Sequence, residues 1–253
     1  MQRFILYILV VSNLSCHTRK SPFEQSSALD TLTNKLEEIY HNGNLHGFSI
    51  SLVNENQTLY QHAFGYANVE SKKKYTLETN QPIASISKTL VGISLLKAQE
   101  LGKLNLDDPI NKYLPISITN PFYPQVDITI RHLANHTSTI IDTDFYDHSS
   151  YFLKNNDYLT SSTPIKIYDY FNAPNERIPI LEFIKKMIYT DDESCCREVF
   201  LDERPGTNYK YSNGATTLAA VVLEVATDMS FIDFTTKYIL DPLEITSSSW
   251  KPN

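Results

Sequence analysis

The chain has 253 residues, of which 42% are hydrophobic and 20% are charged, as in a folded protein with one sizeable domain or two small ones. Its formal net charge of −7 argues against a nucleic acid as partner, because phosphate binding requires clustered lysines and arginines. After the first 20 residues, no stretch is long and apolar enough to span a bilayer.

The N-terminus has the pattern of an export signal. A short basic start at Gln2-Arg3 precedes an apolar run over residues 4–11, which is too short for a spanning helix. The sequence therefore predicts a signal peptide over residues 1–15 and a protein that works outside the cytoplasm, in the cell envelope or periplasm.

A cysteine follows the predicted signal. The small residue Ser15 before Cys16 is similar to a bacterial lipoprotein processing site, which predicts lipidation of Cys16 and a tether over residues 16–27. Leu14 stands one position closer to the cysteine than is usual, so ordinary signal cleavage nearby is the alternative. In the lipidated form, the N-terminal anchor would hold the protein at the membrane.

The first regular elements predicted are a helix and a hairpin. Apolar residues at helical spacing predict an amphipathic helix over residues 27–41. Alternating apolar and polar residues predict a strand over 48–52. A polar turn over 54–57 leads to a second strand over 58–64, which ends at Gly65.

Two apolar helices follow. Residues 85–100 are apolar around most of the helix circumference, which predicts a buried helix that Gly102 ends. A second buried helix is predicted through residues 218–225. Residues 141–180 are rich in Asp, Asn and aromatics without a clear period, and we expect a long loop or loosely helical insert. These elements together predict a mixed α/β fold.

The pair Ser85 and Lys88 stands at the predicted start of the first apolar helix. Residues three apart share a helix face, so the lysine amine can reach the serine hydroxyl. A serine hydroxyl needs an adjacent base to become a nucleophile, and lysine serves as one in Ser-Lys hydrolases. The same spacing recurs at Ser71/Lys74, Ser94/Lys97 and Ser248/Lys251. Only Ser85 lies at a helix start, where free N–H groups favour a developing negative charge.

Six segments in order resemble the serine β-lactamase-related family, especially its class C β-lactamase, D-alanyl-D-alanine carboxypeptidase and esterase branch. They are residues 47–67, 83–89, 101–115, 129–138, 205–213 and 241–243. The resemblance implies an α+β fold of the β-lactamase/transpeptidase type, with an antiparallel sheet flanked by helices and a helical subdomain. The family domain would cover residues 28–253, with 141–180 as a variable insert.

The resemblance also implies site residues. Ser85 would attack an acyl carbonyl, and Lys88 and Tyr211 would form a coupled pair that takes the proton and returns it to the leaving group. Asn213 would hydrogen-bond Lys88 or the substrate amide, and the Ser85 N–H would supply one oxyanion donor. No metal or other cofactor is implied. Because free lysine and tyrosine titrate near about 10.4 and about 10, we expect burial and a cationic neighbour to lower both pKa values.

Three further Tyr-x-Asn triplets are interpreted as structural, with the tyrosine at the edge of the core. They are Tyr40/Asn42, Tyr66/Asn68 and Tyr170/Asn172. Tyr211 is preferred because it follows a Pro-Gly turn and precedes an apolar helix.

A third family motif, a Lys- or His-containing triplet ending in Gly, does not occur between Tyr211 and Asn253. The resemblance places the remaining strands of the sheet in the same region, so we expect a C-terminally truncated relative or an incomplete gene product. Ser138-Thr139 also departs from the Ser-Gly of the family.

Two functions stay open. The first is a serine hydrolase that forms an acyl-enzyme on a D-Ala peptide, a β-lactam or a small ester. The second is a catalytically impaired homologue, or a module that binds cell-wall peptides. The aromatics of the 141–180 insert could line a pocket, although packing of the insert is the favoured interpretation. The adjacent Cys195 and Cys196 lack metal-ligand spacing and are interpreted as two thiols.

Overall fold

A computed structural model describes residues 22–152, 171–189 and 197–250, and it divides into two compact units, Met1–Gln81 and Pro82–Asn253. The predicted signal peptide, Cys16, Cys195, Cys196 and the middle of the 141–180 insert lie outside the described residues.

The first unit contains one helix and a three-stranded antiparallel sheet. Helix α1 spans Pro22–Asn42, and the strands are β1 (Gly47–Val53), β2 (Thr58–Asn68) and β3 (Lys73–Lys74), in that order across the sheet. The predicted helix and hairpin are therefore confirmed. The predicted end of the second strand at Gly65 was wrong, because β2 continues through it and pairs with β3.

Gly65 allows that continuation. Its φ is +72°, and a Cβ at this position would lie 2.3 Å from the carbonyl oxygen of His46. Without a side chain, the strand approaches the neighbouring backbone closely, and Tyr66 N–H donates to His46 O over 2.7 Å. A glycine within a strand pattern thus marks a close backbone contact here rather than an end.

The second unit is mainly helical. A 3-10 turn, Ala84–Ser87, leads directly into the first helix of this unit. Its α-helices are α2 (Lys88–Glu100), α3 (Ile130–Ala134), α4 (Asp144–Ser149), α5 (Ile180–Ile188), α6 (Asn213–Thr227) and α7 (Phe231–Thr235). Shorter helical segments are Ile110–Lys112, Pro174–Glu176, Arg197–Val199 and the π-helical Thr236–Leu240.

Helix α6 lies at the centre of the core of this unit, as predicted for the second apolar helix. Its fully buried residues pack with buried residues of α2, α3, α5 and α7. Examples from these five helices are Leu218, Leu95, Leu133, Ile184 and Phe234, none more than 1% exposed. Burial of this kind contributes about 1.5–3 kcal/mol for each large apolar side chain.

The prediction that the helix over residues 85–100 is buried all round was wrong. Leu95 and Ala98 face the core, but Ile86, Ile93 and Leu96 are 66%, 47% and 57% exposed. The apolar pattern correctly indicated residues that avoid water, but burial also requires a packed neighbour on each side. Within the described part of the second unit, α2 packs against α6 and α7.

Gly102 ends α2, as predicted. It adopts a φ of +67°, its N–H donates to the carbonyl of Gln99, and the N–H of Lys103 donates to the carbonyl of Ala98. These two bonds satisfy carbonyl groups that the last helical turn leaves without partners.

Two segments between the longer helices run beside each other and bring distant parts of the chain together. Ile141 N–H donates to Val199 O, Gly206 N–H donates to Thr137 O, and Lys210 N–H donates to His136 O. As a result, the residues just before α6 lie beside the segment that connects α3 with α4. Thr139, where the resemblance implies glycine, has a positive φ of +69° and is buried.

The described helices do not include a single one with the length and apolar content of a membrane span. Helix α6 and the segment Phe231–Leu240 reach that content only as a pair bent by 80°.

Candidate active site

Ser85 and Lys88 lie one turn apart at the entry to α2. Ser85 belongs to the 3-10 turn, and Lys88 is the first residue of α2. The Lys88 amine donates a hydrogen bond to Ser85 Oγ over 3.1 Å. Ala84, just before the serine, has a positive φ of +46°, which is unfavourable for a residue with a Cβ. Strained backbone of this kind is concentrated at functional sites.

Tyr211 reaches the same serine from the other end of the chain. Its hydroxyl donates to Ser85 Oγ over 2.9 Å and lies 3.3 Å from Asn213 Oδ1. The Nζ of Lys88 lies 5.0 Å from the centre of the Tyr211 ring. A phenol has one proton, so it donates to either the serine or the asparagine at any moment. The structure therefore brings together all four residues that the sequence singles out for catalysis and substrate binding.

The neighbours of Tyr211, rather than burial, lower the pKa of its phenol. Hydrogen bonding to the Lys88 amine, and then to the Ser85 hydroxyl, lowers the pKa of the Tyr211 phenol below its ordinary value. Desolvation acts in the opposite direction, because it disfavours the charged phenolate. The expectation that burial lowers this pKa was therefore wrong. The tyrosine side chain is 40% exposed, and Ser85 is exposed as well.

Two other Ser-x-x-Lys pairs are structural, as predicted. Ser94 Oγ is buried within α2 and donates to the carbonyl of Leu90 over 2.6 Å. Ser71 lies in an exposed turn, where its hydroxyl donates to Asn68 Oδ1 over 2.8 Å. The lysine of the third pair, Lys251, lies outside the described residues.

Sequence reasoning missed Asp142. Its carboxylate accepts four hydrogen bonds from Ser212, Asn213 and Gly214, directly after Tyr211. The aspartate is 71 residues away from Asn213 in the sequence and belongs to the predicted variable insert. No local pattern links two positions at that separation, so only the folded chain reveals the contact.

His136 is the second residue that sequence reasoning left without a role. Its ring packs against the Tyr211 ring with centroids 4.6 Å apart, and its Nδ1 accepts the N–H of Ser212 over 3.2 Å. Desolvation, followed by the positive charge of Lys88, lowers the pKa of the His136 imidazole, while Asp142 opposes this effect. The neutral His136 ring therefore packs against the ring of Tyr211.

Aromatic residues at the start of the insert pack as the favoured interpretation predicts. The rings of Phe145 and Tyr146 lie 5.6 and 5.7 Å from that of Phe183 in α5. Burial raises the pKa of Tyr146 to about 12. A cavity of about 260 Å³ lies beside the rings of Tyr146 and Phe183 and reaches Thr217 in α6.

Comparison with known proteins identifies the family to which this chain belongs. The family model described as Beta-lactamase matches residues 32–253. The protein flp of Staphylococcus aureus (strain MRSA252) is 27% identical over 230 residues, which cover 91% of this chain and 39% of that protein. The chain thus spans about two fifths of the length of this curated relative.

Solved structures show the same fold. The octameric penicillin-binding protein homologue from Pyrococcus abyssi aligns with a TM-score of 0.63 and 25% identity, covering 86% of this chain and 43% of that one. A class C β-lactamase aligns with a TM-score of 0.64 and 18% identity, covering 92% and 53% of the two chains. With a family model matched along most of its length and the fold shared, the chain belongs to the β-lactamase family.

Proposed function

We propose that this chain is a serine hydrolase that cleaves an amide or ester through an acyl-enzyme on Ser85. The observation that carries the proposal is the convergence of Lys88 and Tyr211 on one serine oxygen, at 3.1 and 2.9 Å. Either group is within the distance that proton transfer requires. Membership of the β-lactamase family supports the same type of chemistry.

In the acylation step, Ser85 Oγ forms a bond to the carbonyl carbon of the substrate. The serine proton passes to Lys88 or Tyr211, whichever of the two is deprotonated, and the coupled pair then gives this proton to the leaving amine or alcohol. The lowered pKa of Tyr211 brings the phenol closer to the range where it can act as a base. The carbonyl–leaving group bond breaks as the leaving group takes the proton.

In the deacylation step, water replaces the leaving group. The same pair takes a proton from water as its oxygen attacks the acyl carbon, and returns this proton to Ser85 Oγ as the ester bond breaks. The free serine and a carboxylic acid are the products, so the site returns to its starting protonation state.

Backbone and amide groups position the reacting carbonyl. Ser85 lies in the first turn before α2, where backbone N–H groups precede the repeating helical hydrogen bonds. Its N–H is therefore suited to stabilise the developing oxyanion, because one such donor lowers the activation barrier by about 2.7–4 kcal/mol. Asn213, which lies within hydrogen-bond distance of the Tyr211 hydroxyl, would orient the substrate amide.

The substrate classes that we propose are D-Ala peptides, β-lactams and small esters. Among the similar structures, one is named a penicillin-binding protein homologue, one a class C β-lactamase, and another a hydrolase with promiscuous acyltransferase activity. Two of these names refer to β-lactam compounds and one to acyl transfer, and the exposed Ser85 is open to such compounds.

The proposal is tested by covalent labelling. Folded protein is incubated with a fluorescent penicillin and, separately, with a fluorophosphonate, and labelling is read on a denaturing gel. We expect labelling that the Ser85→Ala variant loses. Ser87→Ala is the matched control, because Ser87 lies in the same turn without a capping side-chain bond, and it should label as the wild type does. Folded protein that neither reagent labels would contradict hydrolysis and favour the cell-wall peptide-binding alternative.

We also propose that the protein is exported and lipidated at Cys16, on the residue pattern around that position. Growth of an expressing bacterium with an alkyne-tagged fatty acid tests this. The tag should appear on the wild type and be absent from Cys16→Ser, and equal tagging of both proteins would refute lipidation at this cysteine.

A further inference from the structure

We infer that Asp142 is a positioning residue of the active site, which holds the Asn213 amide with its carbonyl oxygen facing Tyr211. The inference rests on the proposed acylation of Ser85, because the role of Asn213 follows from that chemistry. Asp142 itself does not touch Ser85 or Lys88 in the structure, and acts through its neighbours.

The first contacts of Asp142 are with the N-terminus of α6. Its Oδ2 accepts the N–H of Asn213 over 2.9 Å, and its Oδ1 accepts the N–H of Gly214 over 2.8 Å. Ser212 Oγ donates to Oδ1 over 2.9 Å and accepts the N–H of Ala215 over 3.0 Å. The first three N–H groups of α6 are therefore bonded, and a negative charge lies at the positive end of the helix dipole.

The remaining contact orients the side chain of Asn213. Its Nδ2 donates to Asp142 Oδ2 over 2.8 Å. An ionised carboxylate has only acceptor atoms, so the amide nitrogen must face it. The carbonyl oxygen of the same planar amide then faces the opposite side, where it lies 3.3 Å from the Tyr211 hydroxyl. Asp142 thus orients the Asn213 amide so that its oxygen, an acceptor, and not its nitrogen, a donor, faces the Tyr211 hydroxyl.

Asp142 approaches α6 beside a glycine. A Cβ added to Gly214 would lie 3.3 Å from Asp142 Oδ1 and 2.7 Å from Met187 Sδ. A side chain at this position would thus press on both Met187 and the carboxylate. A helix cap alone would account for the backbone bonds, but not for the bond to the Asn213 side chain.

The experiment is a double-mutant cycle read by the rate of fluorophosphonate labelling. It compares the wild type, Asp142→Asn, Asn213→Ala and the double variant, with melting temperatures measured in parallel. In the isosteric Asp142→Asn variant, the NH2 group of the new amide can face Asn213. This would favour the Asn213 amide turned by 180°, with its oxygen toward residue 142. Asp144→Asn is the control, because this exposed carboxylate lies only two positions away.

We expect Asp142→Asn to slow labelling by about tenfold or more in the wild-type background, and by less than about twofold once Asn213 is alanine. A purely structural cap would give equal losses in both backgrounds, and that result, or an unchanged rate, would overturn the inference. Should Asp142→Asn fail to fold, Asp142→Glu takes its place in the cycle, because it keeps the charge but displaces the carboxylate by one methylene.

A readout that does not need turnover separates this inference from the proposed function. In ¹⁵N-labelled protein, the side-chain amide resonance of Asn213 should shift in Asp142→Asn and stay in place in Asp144→Asn. If fluorophosphonate does not react with the wild type but the Asn213 resonance shifts in Asp142→Asn, the hydrolase proposal is refuted and the positioning role is retained. If fluorophosphonate reacts with the wild type but the resonance does not shift, the hydrolase proposal is retained and the role of Asp142 is refuted.

Discussion

The amine of Lys88 donates a 3.1 Å hydrogen bond to the hydroxyl oxygen of Ser85, one turn earlier in the chain. In this bond the amine is the donor and the serine oxygen is the acceptor. The hydroxyl of Tyr211 donates to the same oxygen over 2.9 Å, so two titratable side chains meet at Ser85 Oγ. A change at Lys88 should therefore alter the pKa of the Tyr211 phenol.

Replacing Lys88 with methionine should slow acylation and move its pH dependence. The amine is the largest cause of the lowered pKa of Tyr211, so its loss raises that pKa back toward the ordinary value. The base form of the phenol then accumulates only at higher pH. We expect labelling at neutral pH to fall by about 10²–10⁴-fold, with the half-maximal rate shifted to higher pH.

The measurement is the labelling rate as a function of pH, with Lys97→Met as control. Lys97 lies further along the same helix, where it pairs with Glu100 over 3.1 Å. A Lys88→Met profile with the midpoint of the wild type would contradict the coupling of lysine and tyrosine.

His136 should make the protein less stable in acid. Its pKa is lowered in the folded state, so the unfolded chain binds more protons between that pKa and the ordinary value of about 6.5. The contribution to stability is complete above about pH 6.5 and is lost as the pH falls through the folded pKa. Melting temperature against pH should therefore decline less in His136→Asn than in the wild type.

His132 has a pKa lowered by burial and contributes with the same sign, so the His136→Asn variant retains part of the decline. Asparagine is chosen because His136 has a φ of +57°, a region that asparagine tolerates. Identical slopes for the wild type and the variant below pH 6.5 would contradict a neutral His136 in the folded state.

Gly206→Ala should destabilise the protein by about 1–3 kcal/mol. Gly206 has a φ of +91°, and a Cβ there would lie 2.7 Å from His132 Nε2. Gly102→Ala is a matched comparison, since its φ of +67° is also positive but no heavy atom lies within 4 Å of the added Cβ. Urea unfolding should give the larger loss for Gly206→Ala, and equal losses would show that the contact with His132 is unimportant.

Gly92→Ala should instead stabilise the protein by about 0.5–1 kcal/mol. Gly92 lies in the interior of α2, and nothing lies within 4 Å of the Cβ that alanine would add. Alanine restricts the unfolded chain and favours the helix without a new contact. A lower midpoint in urea for this variant would mean that the approach of another group to α2 requires glycine.

The sequence predicted those parts of the fold that depend on neighbours along the chain. The end of α2 at Gly102 could be predicted because glycine readily adopts the positive φ that often follows the last turn of a helix. The pattern was misleading where burial depends on distant packing. Ile93 and Leu96 belong to a helix that is apolar all round, and yet they face solvent.

By itself, the sequence predicted the contact between Ser85 and Lys88, because two side chains three residues apart lie on one face of a helical segment. The sequence also singled out Tyr211, but only the tertiary structure shows its contact with Ser85 and which carboxylate aligns the Asn213 amide. Those contacts join positions 126 and 71 residues apart. At such separations, the packing of the core around α6 sets the distances, and no local pattern encodes them.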